Sequence, residues 1–451
     1  MTLLLIGVAL LVAWPLYNVA LVFYTARDSV YAARHRRRAA RRGDTGLGAT
    51  APGDTRRGDL GPSAGHEPGV FWIVVPCLNE ERVIGRTARN ALALRGPAGT
   101  RTRVLVVDDG SDDGTPDVIA AIEDPNLRVL RRTLPNARKG KGEALNAAYR
   151  YIRQQTADDG DDPARVAVGV IDGDGRGSAN MLVNVSDAMR DPEVGAVQCR
   201  VRIHNRDRIL AAVQDMEFAC IANASQLMRN SLGTVGLGGN GQFTRLSALA
   251  LLGDAPWSSC LVEDLELGLR LHLAGVRIRY TAQAAVTQQG LVDVRRLLRQ
   301  RTRWAQGNLQ CIRYVPKLYR AAHISNAAMV EMLYYLLAPW LNAVGTVVMT
   351  AVTGYSLWHL ADGPTIHSRL QLLATVAVWL AAMVAPFLTW GVLHRLQLRD
   401  EKLRRCLLAG LCYPAFLLLG LVSTYRAIGR QLTRRNAWAK TERLAEATNP
   451  T

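Results

Sequence analysis

Between residues 69 and 290 the chain alternates short apolar runs with stretches of helical periodicity. The runs Phe71–Val75, Val104–Val107, Leu127–Leu130 and Val166–Ile171 read as strands; Arg128 interrupts the third. Between them, helices are expected at 79–94, 115–123 and 141–154. Asn79 would cap the first, with Glu80 and Glu81 complementing its positive end. Strands apolar on both faces that alternate with helices imply a parallel sheet covered on both sides. The expected fold is α/β with a mainly parallel sheet.

The flanks follow a different pattern. Residues 3–23 carry no charge and match the roughly 20 residues that cross a bilayer. The basic cluster 34–42 follows the run instead of preceding it, as in an anchor whose following segment is cytoplasmic. Further apolar runs occupy about 327–353, 370–393 and 406–424. The loop 394–405 is basic and reads as cytoplasmic, whereas the basic tail after 425 conflicts with a single crossing at 406–424. The expected organisation is an anchor (1–24), a basic disordered linker (25–68), a cytoplasmic catalytic domain (69–290), amphipathic interface helices (291–325), a C-terminal transmembrane region (326–428) and a basic tail (429–451).

The formal charge of +17, from 55 Lys and Arg against 38 Asp and Glu, suits nucleic acid, an anionic membrane or a phosphorylated substrate. Basic residues are not interleaved with aromatics, so nucleic acid is not an expected partner; membrane lipids are. The seven cysteines form no CxxC pair and read as reduced, mostly buried side chains.

Candidate chemistry lies where strands end. Ligands of open parallel sheets bind at the carboxyl ends of strands. There stand Asp108-Asp109 and, in VIDGDGRG, Asp172 and Asp174. Two carboxylates one residue apart suit a hard divalent cation such as Mg²⁺ or Mn²⁺, which shares its shell with substrate phosphates. The plain alternative is a solvated Asp/Gly turn. An EF-hand loop fails, because Arg176 occupies a ligand position and Val183 replaces the final Glu. GLGGNG (236–241) spells GxGxxG without a βαβ unit around it. Lys141 opens a helix, where its cation could face a diphosphate. Glu263, Asp264 and Glu266 begin another helix that runs to Gly275, as dipole-complementing acids often do. The segment around QRTRW (300–304) sets Leu291, Val294, Leu298, Ala305 and Leu309 on one face and arginines on the others, as a helix on a membrane surface would.

Taken in order, PCLNEE (76–81), VVDDGSDDGT (106–115), KGEALN (141–146), DGDG (172–175), GGNGQFTR (238–245), VED (262–264) and QRTRW (300–304) resemble the membrane-embedded family 2 glycosyltransferases. That family includes cellulose, hyaluronan, chitin-oligosaccharide and poly-N-acetylglucosamine synthases. The resemblance covers roughly 70–310 and implies a GT-A-type nucleotide-diphosphosugar domain followed by transmembrane helices. By position it implies that Asp108 and Asp109 meet the uracil and ribose of a UDP-sugar. Lys141 would meet the diphosphate, Asp172 and Asp174 a metal, with Asp174 the direct ligand. Asp264 would be the general base beside Glu263, and Gln300, Arg303 and Trp304 would face the pyrophosphate and acceptor.

Two departures stand out: Val262 replaces the family's Thr, and a glycine run replaces a cysteine-containing loop. The implied activity is inverting, metal-dependent hexosyl transfer from UDP-glucose or UDP-N-acetylglucosamine to a growing β-linked polysaccharide, threaded across the plasma membrane by a multi-pass protein. The alternative is single transfer to a lipid, as in ceramide glucosyltransferase-like enzymes. A binding scaffold on a dead transferase fold is disfavoured, since every acid position is filled.

Overall fold

A computed structural model describes residues 17–28, 66–362 and 369–433. The expectations for 1–16, 29–65 and 434–451, which hold most of the anchor, linker and tail, lie outside the described residues. A helix α1 covers 17–28. Then come β1 (Val70–Cys77), α2 (Ile84–Ala93), β2 (Arg101–Asp108), α3 (Thr115–Ala120), β3 (Leu127–Arg131), α4 (Lys141–Asp158), β4 (Val166–Val170) and the short β5 (Arg176–Gly177). They are followed by α5 (Met181–Ala188), β6 (Val194–Ile203), α6 (Ile209–Met216), a π-helical turn (Glu217–Ala222) and α7 (Asn223–Leu232). Next are β7 (Gln242–Arg245), α8 (Leu246–Ala250), α9 (Glu263–Leu273), β8 (Arg277–Gln288), α10 (Val294–Cys311) and α11 (Val315–Arg320). Three long helices close the chain: α12 (Asn326–Asp362), α13 (Arg369–Leu398) and α14 (Leu403–Leu432).

All strands form one sheet in the order β3-β2-β1-β4-β7-β6-β8-β5. The first four, those legible as apolar runs, are parallel, with Cys77 opposite Asp108 and Val74 opposite Val170. Both acid-bearing strand ends therefore open on one edge. The remainder is mixed: β7 runs antiparallel to β4 and β6, and β5 antiparallel to β8. Alternate residues of β1 feed two cores. Val70, Trp72 and Val74 pack with Leu145, Tyr149 and Ile152 of α4, while Phe71, Ile73 and Val75 pack with Ile84, Met181 and Phe243. Burial on both faces is why these strands lack polar alternation.

The first helix begins at Ile84, not at 79. Asn79 has φ 53° and is not the N-cap, a place taken by Val83; its side chain exchanges hydrogen bonds with Asp112, donating at 2.6 Å and accepting from the Asp112 N–H at 3.0 Å. The Asn79 and Glu80 N–H groups donate to Ser111 and Thr115 hydroxyls at 2.9 and 2.7 Å. PCLNEE is thus stitched to the loop after β2 instead of starting a helix. The helix at 115–123 ends at Ala120, and the one at 141–154 continues to Asp158.

α10 also departs from expectation. Asp293 caps it by accepting from the Arg296 N–H at 2.8 Å, and its buried face carries Leu297, Gln300, Thr302, Gln306 and Leu309, while Val294 is exposed. With three polar side chains on its buried face, the helix packs that face against the rest of the protein. Its neighbours include α14, α12 and α9. Leu21 of α1, Trp390 of α13 and Tyr413 of α14 share one core with Met216 of α6. Among the described residues one helix, α14, is long and apolar enough to cross a membrane, by length and composition alone. The expected multi-pass arrangement is not supported by the described residues. Leu408, Leu411, Leu418 and Val422 of α14 and Val344 and Val347 of α12 are exposed, an apolar surface of the kind that marks a membrane or partner contact.

Candidate active site

The strand ends, the starts of α4 and α9 and the middle of α10 converge on a cavity of about 500 Å³, within the usual span of ligand pockets. Asp109, Lys141, Asp172, Glu263, Asp264, Gln300, Arg303 and Trp304 all line it. Lys141, on the first turn of α4, places Nζ 2.6 Å from Asp172 Oδ1 and 3.5 Å from Glu263 Oε1. Burial alone would lower its pKa, but Asp172, Glu263 and Asp264 together hold it above the ordinary value, so it stays charged.

Asp264 behaves oppositely. Burial first, then the Glu263 carboxylate, push it up to about 7 against the pull of Lys141; the Leu265 N–H donates to its Oδ1 at 2.8 Å. A carboxylate poised near neutral pH is suited to accept a proton. The glycine run finds its purpose here. Gly239 has φ +73°, and a Cβ on it would meet Asp264 Oδ2 at 2.8 Å and Lys141 Nζ at 3.2 Å. GLGGNG is therefore a backbone wall pressed against the acid and the lysine, not a nucleotide loop opening a helix.

Arg303 contrasts with its surroundings. Its Nε is buried without a hydrogen-bond partner, and no carboxylate pairs with it among the described residues. An uncompensated guanidinium on a cavity wall is a ready anion receptor.

These motifs fall in the order and places of a single enzyme family, and the sequence model described as "Glycosyltransferase like family 2" matches residues 68–307. The chain belongs to this family. A β-monoglucosyldiacylglycerol synthase of Trichormus variabilis is 34% identical over 242 residues, 53% of this chain and 48% of that protein. A poly-β-1,6-N-acetyl-D-glucosamine synthase of Staphylococcus aureus is 28% identical over 244 residues, 52% and 53% of the two chains. The chain spans about half the length of the curated relatives it matches. Among solved structures, a mannosyltransferase from Pyrobaculum calidifontis, in complex with GDP-Man and Mn²⁺, superposes with a TM-score of 0.57 at 20% identity, over 96% of this chain and 99% of that one. This likeness shows the fold, which is GT-A.

Two of the acids singled out in this family 2 chain stand behind the cavity, not on its wall. Asp108 is 1% exposed; its Oδ1 accepts the Ser111 N–H at 2.9 Å and Oδ2 lies 3.5 Å from Arg131 Nε. Asp174 is also 1% exposed, with Oδ2 accepting the Gln289 N–H at 2.8 Å. Asp109 is on the wall, raised by burial and opposed by its ion pair with Arg132. Among the described residues no group of three or more His, Cys, Asp or Glu is arranged to hold a metal. The Asp172/Asp174 donor set is all oxygen and fits a hard cation that completes its shell with substrate oxygens.

Sequence reasoning missed several wall residues. Glu80, read as a dipole-complementing acid, packs against Gly173 and lines the cavity. Phe218 comes from the π-helical turn, and Tyr335 and Ser423 from α12 and α14. No local motif marks those three, because only tertiary packing brings them to the site.

Proposed function

We propose that the protein transfers a hexose, with inversion, from a UDP-sugar to a hydroxyl presented from the membrane side. Asp264 carries the reading: a carboxyl held near 7, sharing its cavity with the cations Lys141 and Arg303 and with the flat ring of Trp304. An Asp264 oxygen takes the acceptor's proton as the acceptor oxygen bonds to the anomeric carbon. The bond from that carbon to the diphosphate breaks, and its electron pair leaves with UDP. Lys141 and Arg303 face the charge that grows there. Asp109 would hold the nucleoside end, with Asp108 and Arg132 fixing its loop. Asp172 and Asp174 would hold Mg²⁺ or Mn²⁺, which supplies Lewis-acid stabilisation of the leaving diphosphate. A general base of this kind contributes about 10²–10⁴ in rate.

The cavity extends past Trp304 to Tyr335, Pro339, Gly420 and Ser423 on α12 and α14, next to the exposed apolar surface of those helices. That route favours a lipid acceptor, as does the name of the relative at 34% identity. A growing β-linked polysaccharide is the second reading. The poly-N-acetylglucosamine synthase relatives favour it, and so does a cavity that continues between two helices long enough to thread a product. In either reading the donor site faces the cytoplasm at the plasma membrane.

Membrane vesicles carrying the full chain, incubated with labelled UDP-glucose or UDP-N-acetylglucosamine, test this. Label extracted by chloroform–methanol gives the lipid reading, and label in an insoluble polymer gives the second. Asp264→Asn is expected to keep UDP binding and abolish transfer; retained turnover would sink the assignment.

A further inference from the structure

QRTRW contains two arginines on the cavity wall, and they are held differently. Arg303 makes no ion pair among the described residues, whereas both terminal nitrogens of Arg301 are ion-paired. Its guanidinium forms a two-pronged ion pair with Glu217, with Nη1 at 2.9 Å from Oε1 and Nη2 in short contact with Oε2. Both side chains are mostly buried, at 17% and 21% exposure. The same guanidinium lies over three rings: Trp304 at 4.8 Å, Phe416 at 5.3 Å and Phe218 at 5.8 Å. Phe218 meets Trp304 edge to face, with centroids 6.3 Å apart and planes at 84°.

The carriers of these groups are informative. Glu217 and Phe218 open the π-helical turn, and Phe416 belongs to α14, the apolar helix. A π-helical turn widens a helix by one residue per turn and is enriched at functional sites. Two residues earlier, fully buried Asp215 binds Arg202 at 2.8 and 3.0 Å and lies 3.2 Å from His394 Nε2 of α13. One short segment therefore grips the α13–α14 hairpin with Asp215 and the QRTRW helix with Glu217.

We infer that Glu217 and Arg301 are a positioning pair that fixes the ring of Trp304, and that Phe416 ties this ring to the membrane-side helix α14. Arg301 spends its charge on Glu217 and its faces on aromatic rings, so it is not a diphosphate ligand. A cation is attracted to the face of an aromatic ring, more strongly when desolvated, and three faces restrict the guanidinium. The inference rests on the reading of Trp304 as a residue that faces the acceptor, but its test needs neither acceptor nor turnover.

Full-length protein labelled with 5-fluorotryptophan in detergent micelles gives one ¹⁹F line per tryptophan, and the Trp304 line is assigned by its loss in Trp304→Phe. Glu217→Gln is expected to shift and broaden that line while the line of Trp72, in the sheet core, stays in place. Phe416→Leu, which removes no charged side chain, should move the same line, and it carries the test if Glu217→Gln does not fold. UDP affinity in Arg301→Lys should change by less than about twofold. A Trp304 line unmoved by both variants would overturn the inference. So would a loss of about tenfold or more in UDP affinity, which would make Arg301 a phosphate ligand. If transfer proves absent while the line moves, the proposed function fails and the positioning pair stands.

Discussion

Lys141 Nζ lies 2.6 Å from Asp172 Oδ1 and 3.5 Å from Glu263 Oε1, so one cation joins the end of β4 to the start of α9. It serves two carboxylates at once and faces the space where a diphosphate would sit. Lys141→Met removes that charge from both acids. Steady-state kinetics should show kcat/KM reduced by about 10²–10³, the usual cost of losing one well-placed charged or hydrogen-bonding group. Calorimetry should show weaker UDP binding. Unchanged UDP affinity would place the diphosphate elsewhere.

With Asp264 as the proposed base, its ionisation should set the pH dependence. Its carboxyl is raised to about 7, chiefly by burial and then by Glu263. Only the ionised form accepts a proton, so kcat/KM should fall as pH drops through about 7 and level off above it. Removing the neighbouring negative charge favours ionisation, so Glu263→Gln should move the acid limb to lower pH. A limb that stays put would assign the titration to another group.

How much of this was legible beforehand depended on whether the signal was local. The four parallel strands announce themselves because burial on both faces makes them continuous apolar runs, and the acids that end them fall on one edge by topology alone. β6 and β7 escaped notice because the polar Gln198, Arg200, Gln242, Thr244 and Arg245 sit buried inside them, with Gln198, Arg200 and Arg245 hydrogen-bonded to other elements. Asn79 misled for a related reason. An Asn before two Glu is a good capping signal, but here a partner loop 33 residues away, at Asp112, claims the side chain. QRTRW was read as interfacial because its arginines are many; only the structure separates Arg301, paired with Glu217, from Arg303, which is not. The cavity's far wall, from Phe218 to Ser423, has no sequence signature at all.

The contact between α9 and α10 depends on one glycine. A Cβ at Gly307 would come within 2.7 Å of Val262 Cγ2 and 2.9 Å of the Val262 nitrogen. Val262 is the residue before the Glu263-Asp264 pair, so Gly307→Ala should push α10 away from the acids and displace Gln300 and Arg303 from Asp264. Displacements of this kind can cost about 10²-fold in rate. The variant should remain folded by circular dichroism while turnover falls by that order. Adding Val262→Ala frees part of the space and should restore some activity; an active single variant would show that the helix spacing is not critical.

The last expectation concerns the two aspartates of VIDGDGRG. Asp172 already faces Lys141 on the cavity wall, while Asp174 is 1% exposed with Oδ2 held by the Gln289 N–H. On the proposed function, both acids would offer oxygens to a divalent ion shared with the donor's phosphates. Vesicles treated with EDTA should lose sugar transfer and regain it with Mg²⁺ or Mn²⁺. Asp172→Asn and Asp174→Asn should each raise the metal concentration needed for half-recovery, because each removes one anionic oxygen donor. If Asp174→Asn leaves that concentration unchanged, Asp174 serves only to hold the turn through Gln289, and Asp172 alone is the protein's ligand. Transfer that persists in EDTA would remove the metal from the reaction and leave the leaving diphosphate to Lys141 and Arg303.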